Sequence, residues 1–140
     1  MVSEKQRSAA AVGEANWRGT GTALVVDDDE FILRLTGRLL GILGFSSLPA
    51  KSGAEALDIY RQNGHDISFI ILDLSMPEMS GAELARAIWQ INPKAKIIVC
   101  SGYSEQKVSR YFNDSDKFSF LKKPFKPAEL EAVLCEVFAI

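Results

Sequence analysis

Histidine and cysteine are almost missing from these 140 residues, with one and two copies. Cys100 lies in an apolar run and Cys135 in a helical pattern, at no metal or redox spacing. Both therefore read as core thiols suited to a reducing cytoplasm. No apolar run approaches the length of a membrane span, and the first twenty residues lack the hydrophobic centre of a signal peptide, which argues against insertion and secretion. Nor is there an excess of charge. The formal net charge is -2, with both signs interspersed, so no broad positive field exists to attract nucleic acid. No Gly-rich nucleotide loop stands in the context a kinase would need, and no internal repeat or low-complexity segment is present. What remains is ordinary globular usage, 47% hydrophobic and 24% charged, in a chain long enough for one core.

That core has a readable order. From Thr22 onward, short apolar runs alternate with longer helical patterns, the mark of a parallel sheet with crossover helices. The strands are expected at Ala23 to Val26, Phe45 to Leu48, Phe69 to Leu72, Ile97 to Cys100 and Phe118 to Leu121. The first, third and fourth are continuously apolar, as strands covered on both faces must be. Cover helices are expected from Ile32, Leu35, Leu39 and Ile42, from Leu84, Ala87, Ile88 and Ile91, and from Leu130, Val133, Leu134 and Val137. Two weaker helices span Ala54 to Arg61 and Glu105 to Phe112, with Ser52 and Ser104 as their N-caps. Residues 1–21 carry no such pattern and read as a tail or interdomain linker preceding a domain over residues 22–140.

In an open parallel sheet, function collects beyond the carboxyl ends of the strands. Asp27-Asp28-Asp29-Glu30 follows the first run, Asp73 the third, Ser101 the fourth, and Lys122-Lys123-Pro124 the fifth. If the first and third strands are neighbours, their carboxylates converge and repel one another unless a cation is supplied. Magnesium suits such oxygen ligands, with manganese as a substitute. A lysine and a hydroxyl nearby could neutralise a phosphoryl group, and an aspartate could accept one as an acyl phosphate. Each residue has a plainer reading. An acidic run before a helix caps it, as Asp29 would; a lone Asp marks a turn, a lone Ser a cap, a Lys pair a solvated edge. Those readings leave unexplained why all of them fall just after strands.

The stretches LVVDDDE, FIILDLSMPEMSG, IIVCSGY and FLKKPF resemble bacterial response-regulator receiver domains, and the resemblance spans Thr22 to Ile140. It implies a flavodoxin-like (βα)5 three-layer sandwich whose five parallel strands run in the order 2-1-3-4-5. It further implies Asp73 as phosphoacceptor, Asp28 as a direct metal ligand, Asp27 as an acidic partner, and the Ser75 backbone carbonyl as a further ligand. Ser101 would be the hydroxyl that follows the phosphoryl group, Lys123 the matching lysine, Phe120 the switch aromatic, and Pro124 the residue after a cis peptide bond. Switching would remodel the surface of the fourth helix, fifth strand and fifth helix, where a homodimer could form. Phe120 lacks a phenolic hydroxyl, so its coupling must rest on packing. NDSDKFSF departs from the Gly-Ala pair that many receivers carry before the fifth strand. Tyr103, two residues past Ser101, flanks the path of water to an acyl phosphate, or is simply a half-exposed loop aromatic.

The single histidine, His65, stands in the turn-like stretch Asn63-Gly64-His65-Asp66, away from these residues, so the phosphoryl donor is expected to be another molecule or domain. The resemblance implies a phosphohistidine on a sensor histidine kinase or phosphotransfer domain. Two contexts fit: a stand-alone response regulator, or the carboxy-terminal receiver of a hybrid sensor histidine kinase, toward which SGY and the linker-like start lean. No direct nucleic-acid or membrane contact is expected, and catalysis is confined to self-phosphorylation and dephosphorylation. Two rivals remain. A flavodoxin-like ligand-binding module would need glycine or hydroxyls where four acidic residues stand. A magnesium-dependent aspartyl phosphatase would place its nucleophile in a DxD pattern, which Asp27 and Asp29 satisfy.

Overall fold

A computed structural model describes residues 19–139. The strands are β1 (Thr22–Val26), β2 (Ser46–Ala50), β3 (Ile67–Asp73), β4 (Ile97–Ser101) and β5 (Ser119–Lys122). The helices are α1 (Glu30–Ile42), α2 (Gly53–Asn63), α3 (Gly81–Ile91), α4 (Glu105–Ser109) and α5 (Pro127–Phe138), with one 3-10 turn at Gly64–Asp66. All strand pairs are parallel and the sheet order is β2-β1-β3-β4-β5. This is the flavodoxin-like architecture expected above.

The continuous apolar runs are explained by alternation between two cores. Leu24, Val26, Ile70, Leu72, Ile97 and Val99 pack with Leu57, Tyr60, Leu84, Ile88 and Val108 on the face covered by α2, α3 and α4. The intervening Ala23, Val25, Phe69, Ile71, Ile98 and Cys100 pack with Leu33, Leu40, Leu130 and Leu134 of α1 and α5. Because successive strand side chains point to opposite faces, both sets must be apolar. Phe69 anchors the second core by edge contacts to Phe45 and Phe138, at 5.0 and 5.6 Å between ring centroids. Ser52 and Ser104 cap α2 and α4 as expected, each accepting a backbone N–H three residues on. Asp29 caps α1 by accepting from the Phe31 N–H at 2.9 Å.

Several expectations need correction. Of the α1 stripe Ile32, Leu35, Leu39 and Ile42, Leu39 packs partly buried against the second core, but Leu35 and Ile42 stand 39% and 51% exposed, and the fully buried positions are Leu33, Thr36 and Leu40. The helix is apolar on nearly every side, so helical spacing alone offered two stripes, and packing against the sheet selects the one that is fully buried. In α3, Ala85 takes the buried place expected of Ile91, which is 46% exposed. Helix α4 ends at Ser109 rather than Phe112, and Arg110 to Phe112 continue as turns. Strand β2 runs through Pro49 to Ala50, which is tolerated because β2 is an edge strand and has no ladder to serve on its outer side. Residues 1–18 of the expected linker lie outside the described residues; Gly19 donates to the Leu43 carbonyl, and the Gly21 carbonyl accepts from Ser46.

Candidate functional site

The parallel register delivers the acidic residues to one place. Val26 pairs with Leu72, so the next residues, Asp27 and Asp73, emerge side by side at the carboxyl end of the sheet. The Asp27 backbone continues the β1 ladder by donating to Ala50, and its carboxylate accepts from the Asp29 N–H at 2.9 Å. Both carboxylates are buried, whereas Asp28 is exposed. One oxygen from each of Asp27, Asp28 and Asp73 lies within 4.8 Å of the others. An all-oxygen set of this size fits a hard divalent cation.

Lys123 arrives from the far edge. Its backbone donates to the Ser101 carbonyl at 2.7 Å, continuing the β4–β5 ladder, and its ammonium reaches Asp27 at 2.7 Å and Asp73 at 3.2 Å. The following Lys123–Pro124 peptide bond is cis. Burial raises the Asp73 carboxyl above its ordinary value, overcoming the lowering by Lys123, while Asp27 and Asp28 push the same way as burial. For Lys123, burial by itself lowers the ammonium, but the hydrogen bond to Asp27 and the charge of Asp73 carry it above its ordinary value. Adjacent Cys100 is an inert neighbour, its thiol pushed up to about 12 by burial.

Ser101 is buried at the end of β4, with its hydroxyl accepting from the Tyr103 N–H at 3.0 Å. Tyr103 is 43% exposed, and the Lys107 ammonium sits over its ring at 4.1 Å. Phe120 is half-buried against the core beneath α2, α3 and α4. Ser75 is exposed two residues past Asp73. His65 pairs with Asp66 at 3.5 Å on the surface, in the 3-10 turn ahead of β3, at the end of that strand opposite Asp73.

Two supporting features carried no clear signal in the sequence. A Cβ on Gly81 would lie 2.4 Å from the Asp73 carbonyl oxygen, so only glycine lets α3 start against that backbone. Glu78, in the intervening loop, holds a left-handed φ of 71°. The Lys107 contact was not announced by helical spacing either, because Tyr103 precedes the Ser104 N-cap and lies outside α4.

A buried aspartate beside two acidic partners and a bridging lysine, at the carboxyl edge of this sheet, has a known counterpart. The model of the response regulator receiver domain matches residues 23–135. The chain belongs to that family. Sensor kinase CckA of Brucella abortus is 34% identical over 119 residues, covering 85% of this chain and 13% of that protein. Chemotaxis protein CheY of Thermotoga maritima is 32% identical over 115 residues, covering 81% of this chain and 94% of its own length. Among solved structures, the CheX-CheY-BeF3-Mg+2 complex from Borrelia burgdorferi matches with a TM-score of 0.77 and 28% identity, over 84% of this receiver and 89% of that chain. The receiver therefore spans a small part of the kinase and nearly all of the chemotaxis protein. Among the described residues, no helix is long and apolar enough to cross a membrane.

Proposed function

We propose that this receiver accepts a phosphoryl group on Asp73 from a phosphohistidine of a sensor histidine kinase or phosphotransfer domain. The observation that carries the reading is the Lys123 ammonium bridging the buried carboxylates of Asp73 and Asp27. In the transfer, a carboxylate oxygen of Asp73 bonds to phosphorus, the phosphorus–nitrogen bond breaks, and the imidazole nitrogen keeps the electron pair. Asp27, Asp28, Asp73 and the Ser75 carbonyl would hold magnesium or manganese, which supplies positive charge to the phosphoryl oxygens. Lys123 leaves its carboxylate contacts to neutralise another oxygen, and the Ser101 hydroxyl turns from the Tyr103 amide to donate to a third. Phe120 follows Ser101 by packing and alters the α4, β5 and α5 surface, the place for an output partner or homodimer. Tyr103, held by Lys107, screens the acyl phosphate from water.

A partner must reach Asp73, and α1 offers it a seat. Phe31, Leu35 and Ile42 stand exposed along α1, and a groove lined by Ile32, Leu35, Lys123, Pro124 and Phe125 leads to the site. The likeness to CckA supports a hybrid-kinase parent, and that to CheY a stand-alone regulator; SGY and the linker-like residues 1–21 favour the former. Either context is cytoplasmic.

Incubation with acetyl phosphate and magnesium, followed by mass measurement, tests the acceptor. Wild type gains one phosphate and Asp73→Asn gains none; labelling of the variant would reject Asp73. If Tyr103 screens the product, Tyr103→Ala shortens its lifetime, and an unchanged lifetime removes that role.

A further inference from the structure

At the amino ends of β4 and β5, the sheet end opposite Asp73, lies a groove of about 630 Å³ that phosphoryl chemistry does not use. Its floor is apolar and aromatic, formed by Trp89, Ile97, Phe118 and Val137. The Trp89 ring is fixed, because its N–H donates to the Ala95 carbonyl at 3.1 Å and Phe112 meets it 6.3 Å away at 72°. Phe118 is held by Phe112 at 4.4 Å. Three lysines, Lys94, Lys96 and Lys117, stand exposed at the rim, and none has an ion-pair partner among the described residues. Two carboxylates share that rim, Glu136 and Asp116, the latter accepting from the Asn113 N–H at 2.8 Å; three ammonium groups thus face two negative charges.

We propose that this groove is a second ligand site, one that takes a flat aromatic anion. The ring lies on Trp89 and Phe118, and its carboxylate, sulfonate or phosphate sits among the three lysines. The volume falls in the range of roughly 300–1,000 Å³ typical of small-molecule sites. A preformed aromatic floor costs a ligand little reorganisation, and a single negative charge answers the surplus of cations without crowding Glu136.

The test uses 8-anilinonaphthalene-1-sulfonate as the probe and the full chain carrying Trp17→Phe, so that energy transfer reports on Trp89. Saturable binding of one probe per chain, with quenching of Trp89, is expected. The double variant Lys96→Glu/Lys117→Glu should weaken it by about tenfold. Arg61→Glu, on α2, should leave it unchanged. Both lysines are exposed, and far-ultraviolet circular dichroism checks that the fold survives. A titration that does not saturate, equal affinity in the double variant, or an equal loss with Arg61→Glu would overturn the proposal.

Discussion

The two ends of this sheet are built from the same five strands and share almost no chemistry. At the carboxyl end, Asp27 and Asp73 are buried beside the half-buried Lys123, and Glu78 is held in left-handed backbone in the loop after β3. At the amino end of β4 and β5, Trp89, Phe112 and Phe118 form an aromatic cluster. One end tolerates like charges and backbone strain; the other is a packing joint. At the amino end the charges are confined to an exposed rim around an aromatic core, whereas at the carboxyl end the carboxylates are buried against local rules of folding. If that division is real, substitutions at the two ends should separate stability from phosphorylation.

The largest effect is expected at the packing joint. Phe112→Ala opens a cavity between Trp89 and Phe118 and should lower unfolding free energy by about 3 kcal/mol in urea titrations. Acetyl phosphate should still label the folded variant fully; lost labelling would join the two ends and break the comparison. Next comes Lys123→Met, which leaves Asp27 and Asp73 without their shared cation. A loss of about 1–2 kcal/mol is expected for this partly exposed bridge, recovered in part by magnesium, together with a fall in labelling.

Asp73→Asn should act in the opposite direction. Burial holds the folded Asp73 carboxyl above its ordinary value of 3.8. The folded state thus binds the proton more tightly, and stability from this group falls as pH rises from the unfolded value to the folded one. Removing the charge should raise the urea midpoint at neutral pH without magnesium, and the gain should fade below pH 3.8. A lowered midpoint at neutral pH would mean that the Lys123 contact outweighs burial. The smallest effect is expected from Glu78→Gly, which relieves left-handed backbone at a cost in chain entropy. A gain of under about 1 kcal/mol in the same titration is predicted, with labelling intact.

Much of this was legible before any coordinates. The runs around Ala23, Phe69 and Ile97 had to be buried strands, and the residues that follow them had to meet wherever β1, β3 and β4 end. The face of α1 was not legible, because Leu33 and Leu40 compete with Leu35 and Leu39 and only the sheet decides between them. The end of α4 was equally hidden. Val108 fits the helical pattern, but the turn closed by Asn113 and Asp116 stops it early. Nor could spacing reveal that Lys123 bridges Asp27 and Asp73, since Asp27 lies 96 residues away. Gly81 was equally hidden, because its reason is a backbone contact made only after folding.

Pro49 in β2 has a consequence beyond local geometry. An outer strand is a template on which a second chain can extend the sheet, and that hazard grows with concentration in the cell. Proline withholds one N–H from such a template at the fourth position of a five-residue strand. At the opposite border, β5 offers four residues, the last a lysine. Both borders of the sheet thus discourage edge-to-edge growth, which guards this receiver against irreversible association.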